Sequence, residues 1–346
     1  MSLIDRIRNY FSPSRQATRE ASAAPLRSLA DLDALLRSTE SAPATALVQR
    51  AARACFHILP DGDAAHLPVG GSRLGGTPDL AIGASWPSAE GGKLFTFYGQ
   101  INLDGIADAI EPSPLPSRGL LSIFGGAIDS SFESIEARVV VTPPGTPLLN
   151  LSLPDKSFAF ADESVENLRP VRIRFEAGLS FPTDSLRFVR ALELAAPDAD
   201  IDALMDGLRA APASAIGQLL GYAQFSTDDV HSEMYFLEIG RANQDRLEIW
   251  ERWDAWEEAK KISSRLQNGS IYRPWSAADD DNVRWILANK AAIASGIEKW
   301  HSLLWINSNP LMNLWINDAD PIYFLAKIDE VGQLDLSAVR AGATQS

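Results

Sequence analysis

The sequence contains one cysteine in 346 residues, and that scarcity excludes several kinds of protein. A single cysteine can form neither an internal disulfide nor a metal site built from several thiolates. We expect Cys55, beside Phe56, to be a small buried apolar residue rather than a nucleophile. No apolar run approaches the roughly 20 residues that span a bilayer, and the first residues lack the apolar core of a signal peptide. The sequence therefore predicts a soluble, cytoplasmic protein with no integral membrane segment.

Basic residues are also scarce, because 31 Lys and Arg face 45 Asp and Glu and leave a formal net charge of -14. Direct binding to nucleic acid requires a cationic face, so we expect no nucleic-acid partner. An acidic chain favours a basic protein partner, although the same charge is also typical of ordinary soluble proteins.

Only four histidines are present, and none lies in a nucleophile elbow, a cysteine–histidine pattern or a zinc-protease motif. His231 precedes Ser232 and Glu233, which would suit a metal ligand and a base. A structural role is the commoner one for such a lone histidine. The sequence therefore predicts no catalytic residue, no metal site and no cofactor.

Apolar residues at helical spacing dominate the first 59 residues. Leucine recurs at that spacing in residues 29–36, and residues 45–59 carry a second amphipathic pattern that includes Cys55 and Phe56. We predict that residues 1–59 form a helical N-terminal extension.

A strongly apolar strand follows a stretch rich in turn formers within residues 74–103. The apolar run of residues 94–103 is nearly continuous, which predicts a strand covered on both faces. Glycine permits positive φ and proline favours an extended entry, so five residues before the strand are interpreted as structural turn residues. These are Gly75, Gly76, Pro78, Trp86 and Pro87. A phosphate-binding loop is the weaker interpretation, because the lysine and the preceding strand that such loops need are missing.

Three further strands are predicted at residues 119–124, 136–142 and 171–176, with little regular structure in residues 143–169. In the last strand, Val171, Ile173 and Phe175 alternate with arginines, so one face should be buried and the other solvated.

Helices are predicted at residues 184–211, 244–267 and 279–299, with Asp200 capping one of them. In the second helix, Trp250, Trp253 and Trp256 recur at every third position. We favour packing against the body of the protein over an aromatic binding surface for these residues.

The two halves of the chain show similar features in the same order. Residues 74–78 correspond to 220–224, residues 94–103 to 301–308, and residues 119–124 to 321–325. This order predicts an α+β fold, with mixed, largely antiparallel sheets from a duplicated β-rich unit and flanking helices. The halves are predicted as residues 60–183 and 184–346, forming one continuous domain.

Several of these motifs resemble the YwqG-like bacterial proteins, a widespread group of uncharacterised function. The motifs are Gly75-Gly76-x-Pro78, Trp86-Pro87, Phe97-x-x-Gln100-Ile101-Asn102-Leu103, Gly119-Leu120-Leu121, Leu220-Gly221-Tyr222, Trp300-x-x-Leu303-Leu304, Leu314-Trp315 with Asp318, and Ile322-Tyr323-Phe324. The resemblance covers about residues 60–335, and it implies a mixed α/β fold with substantial antiparallel sheet and a duplicated organisation. The resemblance brings no established activity, but some relatives are encoded beside secreted polymorphic toxins, which implies an immunity or toxin-associated role.

The sequence departs from that family at two places. Trp305 stands where the family usually has glutamine, and the residues after Trp315 replace a glycine-dependent turn. A ligand that the family binds through that glutamine or that turn would lose these contacts in this protein.

A groove between the two halves is the candidate binding site. If the halves pack about a pseudo-twofold axis, six residues should meet there: Gln100, Asn102, Trp305, Trp315, Asp318 and Asp320. The alternative is that Gln100 and Asn102 satisfy backbone groups at strand ends.

Two functions follow from these patterns. The favoured one is a non-enzymatic protein-binding module, specifically an immunity protein that neutralises a basic toxin domain. The alternative is a small-ligand-binding protein or enzyme that uses the groove between the halves. The sequence does not set the oligomeric state.

Overall fold

The computed structural model describes residues 24–62, 67–89, 92–110, 113–126, 135–153, 168–224, 229–241, 276–316 and 320–343. In this part of the chain, ten strands form a closed antiparallel barrel and two more form a small separate sheet. Seven α-helices accompany them. The expected mixture of helices with largely antiparallel sheet is therefore confirmed. None of the described helices is long and apolar enough to cross a membrane.

The strands are numbered in chain order. They are β1 (Arg53–Pro60), β2 (Arg73–Leu74), β3 (Asp79–Ala81), β4 (Thr96–Asn102), β5 (Leu120–Gly125), β6 (Ile135–Thr142), β7 (Leu148–Asn150), β8 (Val171–Ser180), β9 (Gly217–Leu219), β10 (Trp300–Ile306), β11 (Ile322–Lys327) and β12 (Arg340–Ala343). The α-helices are α1 (Leu29–Ser38), α2 (Thr45–Ala51), α3 (Leu186–Ala195), α4 (Ile201–Leu208), α5 (Val230–Glu238), α6 (Ala277–Ala288) and α7 (Lys290–Glu298).

Strand β1, which pairs with β8 and β9 and so closes the barrel, was not predicted from the sequence. Around the ring the order is β1, β8, β2, β4, β5, β6, β12, β11, β10, β9, and β9 pairs with β1. The helix predicted over residues 45–59 ends at Ala51, so this prediction was wrong for its second part. Phe56 and Ile58 belong to the main core, whereas Cys55 and His57 are buried on the other face of the strand. Burial on both faces gives an apolar run that fits a helix as well as a strand.

Two sets of four strands follow the same order within the barrel. Strands β2, β4, β5 and β6 are neighbours in that order, as are β9, β10, β11 and β12. Both β4 and β10 carry a bulge, between Phe97 and Gly99 and between Ser302 and Leu304. An origin of the two sets by duplication stays a prediction.

The strand pairing corrects the correspondence between the two turns by one residue. Arg73 pairs with Gln100, and Gln218 pairs with Trp305, so Gly75 matches Leu220 rather than Gly221. Both residues have positive φ, 66° and 63°, and both donate their backbone N–H to the strand beside them. The shared backbone conformation, rather than the residue type, defines the match.

Other predicted elements differ from the structure in length. Strand β8 continues to Ser180 and alternates buried and exposed residues at its start, as expected. Strand β7 lies in the stretch that was predicted to have little regular structure. Asp200 caps α4 by accepting the backbone N–H of Ala203 at 3.0 Å, as expected. The predicted tryptophan helix at residues 244–267 lies outside the described residues.

One large hydrophobic core fills the barrel and takes residues from both halves. Tyr98 of β4 and Phe324 of β11 meet edge to face with ring centroids 5.3 Å apart. A second core lies outside the barrel, where Leu32 and Leu36 of α1 pack with Phe181 and Leu204. The N-terminal helices are thus attached to the barrel by a core of their own.

Candidate functional site

The outer face of the first set of strands holds a buried polar cluster. Its ion pair joins Arg73 of β2 to Asp79 of β3, with N–O distances of 2.9 and 3.0 Å and side chains only 4% and 1% exposed. The Arg73 Nε also donates to the carbonyl oxygen of Thr77 at 3.0 Å, which fixes the turn containing Gly75. A buried pair of this kind needs good geometry to offset the desolvation of two charges.

Gln100 connects this cluster to the chain segment before β2. Its Oε1 accepts the backbone N–H of Asp79 at 2.8 Å, and its Nε2 donates to the carbonyl oxygen of Gly71 at 2.8 Å. Burial would raise the pKa of the Asp79 carboxyl, but its hydrogen bonds, led by those from Arg73, hold that pKa below its ordinary value. Asp79 is therefore ionised at neutral pH.

Asn102, at the end of β4, holds the same segment from a second point. Its Nδ2 donates to the carbonyl oxygen of Gly70 at 3.0 Å, and its Oδ1 accepts the backbone N–H of Asp104 at 2.9 Å. Its own backbone N–H donates to the Ser72 hydroxyl at 2.9 Å. These contacts match the structural alternative, in which both amides satisfy backbone groups near strand ends.

A cleft of about 280 Å³ lies beside Asn102. It is lined by Asp61, Pro68, Gly71, Ser72, Asn102, Asp104, Ile106, Arg172, Ile173 and Phe175. Arg172 and Asp61 form an ion pair at 3.0 Å, with side chains 47% and 39% exposed. The cleft thus combines charged groups with apolar side chains of the barrel core, namely Ile106, Ile173 and the partly buried Phe175.

The cleft lies where the first set of strands lacks contacts that the second set makes. In the second set, the Ile216 N–H donates to Ile58 at 2.8 Å, and the Asn307 N–H donates to Ile216 at 3.0 Å. Gly71 occupies the place of Ile216, because each residue stands two positions before the paired residues Arg73 and Gln218. The Gly71 N–H instead donates to its own loop, at the Pro68 carbonyl. In the second set, backbone hydrogen bonds therefore join this position to both neighbouring strands. In the first set, Gln100 and Asn102 hold the segment to β4, while the Gly71 N–H makes its hydrogen bond within the loop rather than to β8.

The two sets also differ in the residue that faces this position, Gln100 in the first and Trp305 in the second. The Gln100 amide binds the Gly71 carbonyl, whereas Trp305 at the matching position has an apolar ring and packs against Met234 and Trp300. An indole cannot accept the hydrogen bond that Gln100 takes from the backbone of Asp79. Tryptophan thus occupies this position in the second set, where backbone hydrogen bonds join Ile216 to both neighbouring strands.

Residues 72–342 match the family model described as "Domain of unknown function (DUF1963)". The chain belongs to this family. The match runs from the start of β2 into β12 and covers most of the barrel, but it begins after β1 and the first two helices of this family member. No curated protein matches the chain.

The residues predicted to share a groove are spread over the barrel of this family member. Strands β4 and β10 stand five places apart in a ring of ten, so Gln100 and Trp305 lie on opposite sides. Gln100 is covered by the segment of residues 70–79, and Trp305 by α5. The predicted meeting of these two residues was wrong, because matching positions in a closed ring face away from each other.

The remaining predicted site residues occupy other surroundings. Trp315 is 59% exposed, in the segment that follows a bridge between Asn309 and Leu314. Asp320 is buried, and its carbonyl oxygen accepts the Ser308 hydroxyl at 2.8 Å. Asp318 lies outside the described residues.

The predicted turn residues lie on either side of β3 and make structural contacts. Gly75 and Gly76 have positive φ of 66° and 73°, and a Cβ at Gly75 would lie 2.3 Å from the Arg169 carbonyl oxygen. The Trp86 Nε1 donates to the Phe95 carbonyl oxygen at 2.8 Å, and the Phe95 N–H donates to the Pro87 carbonyl oxygen. The Pro78 carbonyl accepts the Leu151 N–H at 2.9 Å.

Of the described residues, His57, His231 and Cys55 are buried and do not line the cleft. Burial lowers the pKa of His231 to about 4, and its ring bridges the Ala223 N–H and the Trp300 carbonyl. Burial also raises the pKa of the Cys55 thiol, which is fully covered as expected. No group of three or more potential metal ligands was found in the described part of the chain.

The charged residues of the cleft were missed at the sequence level. Arg172 was recognised only as a solvated residue of an alternating strand, and Asp61 and Asp104 were not singled out. Arg73 and Asp79 had one usable signal, since two opposite charges flank the glycine turn at a spacing of six residues. Nothing in the sequence placed Asp61 beside Arg172.

Proposed function

We propose that this protein binds a small ligand in the cleft between β8 and the segment before β2. The observation that carries the proposal is the interrupted barrel wall, where core side chains and charged groups line one cleft side by side. Binding sites typically combine an apolar lining with a few polar groups that fix orientation. The cleft volume of about 280 Å³ lies near the lower end of the roughly 300–1,000 Å³ range of ligand sites, which favours a small ligand.

The buried cluster supports this role by holding the cleft open before a ligand arrives. Gln100 and Asn102 bind the carbonyl groups of Gly71 and Gly70, and the Arg73–Asp79 pair fixes the following turn. Preorganisation of this kind lowers the entropic cost of binding.

A thermal-shift screen with a metabolite library tests the proposal. We expect at least one compound to raise the melting temperature of the wild type and of Asp108→Trp, whose position does not line the cleft. Asp104→Trp, which fills the cleft mouth, should lose that response. A library without any stabilising compound, or compounds that stabilise both variants equally, would overturn the proposal.

A protein-binding role is the second candidate, favoured by the net charge of -14. Such a charge accelerates encounter with a basic partner, which suits an immunity protein that occludes a basic toxin domain in the cytoplasm. Co-expression with the product of an adjacent toxin-like gene tests this role. Rescue of growth and co-purification would support it, and the absence of both would count against it.

We infer that the chain is a YwqG-like bacterial protein whose two strand sets descend from one duplicated unit. The repeated strand order, the paired bulges and the matching positive-φ turns support the duplication.

A further inference from the structure

We infer that the ligand of the cleft is a small zwitterion, with an ammonium and a carboxylate group on an apolar body, as in a free amino acid. The inference rests on the proposed small-ligand function and adds the chemical class of the ligand. It follows from the chemistry of three parts of the cleft, which supply a cation, an anion and an apolar floor.

Arg172 supplies the donors for a carboxylate. Its Nε is paired with Asp61 Oδ2 at 3.0 Å, and within the described residues its guanidinium has no second side-chain partner. The two terminal nitrogens therefore retain donors, and the side chain remains 47% exposed. A guanidinium binds a carboxylate through two parallel hydrogen bonds, which gives both affinity and orientation. Asp61 holds the guanidinium in place from the Nε edge.

Asp104 supplies the acceptor for an ammonium group. Its backbone N–H is bound to Asn102 Oδ1 at 2.9 Å, so the residue is fixed at the cleft. Among the described residues its carboxylate has no ion-pair partner. The Ser72 hydroxyl also lines the cleft and offers a second oxygen. An ammonium carries three donors and no acceptor, so it requires oxygens of this kind.

The floor suits an aliphatic or aromatic body between the two charged groups. Ile106, Ile173 and Phe175 line the cleft and belong to or pack against the barrel core. A ligand with one charge would engage only one of these two groups, Arg172 or Asp104, whereas a zwitterion engages both. A zwitterion therefore gains a charge-assisted hydrogen bond at each end, which a ligand with one charge cannot.

In the part of the second set that the structure describes, the matching region has no such site. Ile58 and Ile216 are joined there by a backbone hydrogen bond, and Asn307 donates to Ile216. The charged partners are also different, because His57 occupies the place of Arg172 and is 3% exposed. One molecule should therefore bind one ligand.

Isothermal titration with L-leucine, N-acetyl-L-leucine and L-leucinamide tests the inference. The first compound carries both charges, the second only the carboxylate, and the third only the ammonium. We expect one site for L-leucine, or for another of the free amino acids titrated beside it. The matching derivatives of that amino acid should each bind at least ten-fold more weakly.

Two variants assign the charged groups. Arg172→Gln should remove the preference for the amino acid over its amide, and Asp104→Asn should remove the preference over its N-acetyl form. Arg138→Gln, on an exposed ion pair of β6, is the control and should leave all three affinities unchanged. Equal affinity for all three compounds, or unchanged preferences in both variants, would overturn the inference.

The outcomes also separate this inference from the proposed function. If no free amino acid binds but another compound stabilises the wild type and not Asp104→Trp, the zwitterion is wrong and the cleft remains the site. If no compound of either set binds, both are wrong.

Discussion

Among single residues, Arg73 and Gln218 hold the matching turns of the two strand sets with different chemical groups. Arg73 binds the carbonyl oxygen of Thr77, and Gln218 binds that of Tyr222 at the matching turn position, at 3.1 Å. The first solution uses charges and requires Asp79 as a counter-ion, while the second needs only amides. Charge at this position therefore makes the first turn sensitive to the loss of either partner.

Replacing Arg73 by methionine should destabilise the protein by about 3–5 kcal/mol, because Asp79 would remain buried without its cation. Chemical denaturation monitored by circular dichroism measures the change. Arg138→Met removes one partner of an exposed pair with Glu136 and should cost less than about 1 kcal/mol.

The double variant Arg73→Gln with Asp79→Gln places the amides of the second set into the first. It should be more stable than Arg73→Met, because no buried charge is left alone. If Arg73→Met lowered the free energy of unfolding no more than Arg138→Met does, the Arg73–Asp79 pair would not hold the turn.

Gly75→Ala separates steric conflict from backbone strain. A Cβ at Gly75 would lie 2.3 Å from the Arg169 carbonyl oxygen, while Gly83 has a similar positive φ of 86° and nothing within 4 Å of the added atom. Gly83→Ala should therefore cost about 1–2 kcal/mol, the usual penalty for left-handed backbone. We expect Gly75→Ala to cost clearly more in the same denaturation experiment. Equal losses of stability in the two variants would mean that the backbone at Arg169 can move away from the added Cβ at little cost.

His231 should make stability depend on pH. Its folded pKa of about 4 lies below the ordinary 6.5, so the unfolded chain takes up the proton first. The stability that the neutral His231 ring contributes to the folded state is fully present above pH 6.5. It is lost as the pH falls towards 4, by at most about 3 kcal/mol.

Denaturation midpoints measured from pH 7.5 to 4 test this expectation for the wild type and His231→Asn. The variant should start less stable and lose less stability over that interval. Parallel pH profiles would show that another group, such as His301 with its pKa lowered to about 3 by burial, dominates.

At the scale of elements, β1 decides whether the family segment can fold alone. β1 pairs with β8 along its full length of eight residues and with β9 at three positions, and it lies before the matched residues 72–342. Without it, β8 and β9 would each lose a neighbour and the barrel would stay open.

We predict that a fragment of residues 72–346 lacks a cooperative unfolding transition, as measured by circular dichroism during denaturation. Adding a peptide of residues 24–62, which contains β1, should restore the transition. The helices α1 and α2 of the same peptide would also cover the outer core around Phe181. A fragment that unfolds cooperatively on its own would show that β1 is dispensable.

Elements with a one-sided or continuous apolar pattern were predictable from the sequence, and elements defined by distant contacts were not. Strand β4 was found because its apolar run continues on both faces, and β8 because its arginines alternate with core residues. Strand β1 shows the limit, since burial on both faces removes the period that separates a strand from a helix.

The candidate site depends on contacts between residues far apart in the chain. Gln100 was singled out as a binding residue, but its contact with Gly71 spans 29 positions. The pair of Asp61 with Arg172 follows from the register of β1 against β8, which no local pattern encodes. The expected meeting of Gln100 with Trp305 was wrong for a related reason, because it assumed facing halves rather than a closed ring.

At the scale of the whole molecule, the two predicted halves share one interior. Ile123 of β5 and Phe324 of β11 belong to the same hydrophobic core, and Phe324 contacts Tyr98 of β4. The halves also join twice, through β6 with β12 and through β1 with β8 and β9. Neither half can therefore expose its strands without opening the core of the other.

Hydrogen exchange can test whether the barrel unfolds as one cooperative unit. Slowly exchanging amides of β5 and β11 should report the same free energy of opening, because global unfolding exposes both. Phe324→Ala should lower both values by a similar amount, about 3–5 kcal/mol, although the residue lies in only one of the strands. Val141→Ala, at an exposed position of β6, is the control and should change either value by less than about 0.5 kcal/mol. If Phe324→Ala lowered the value for β11 alone, the two halves would be separate folding units and the shared core would contribute little to their coupling.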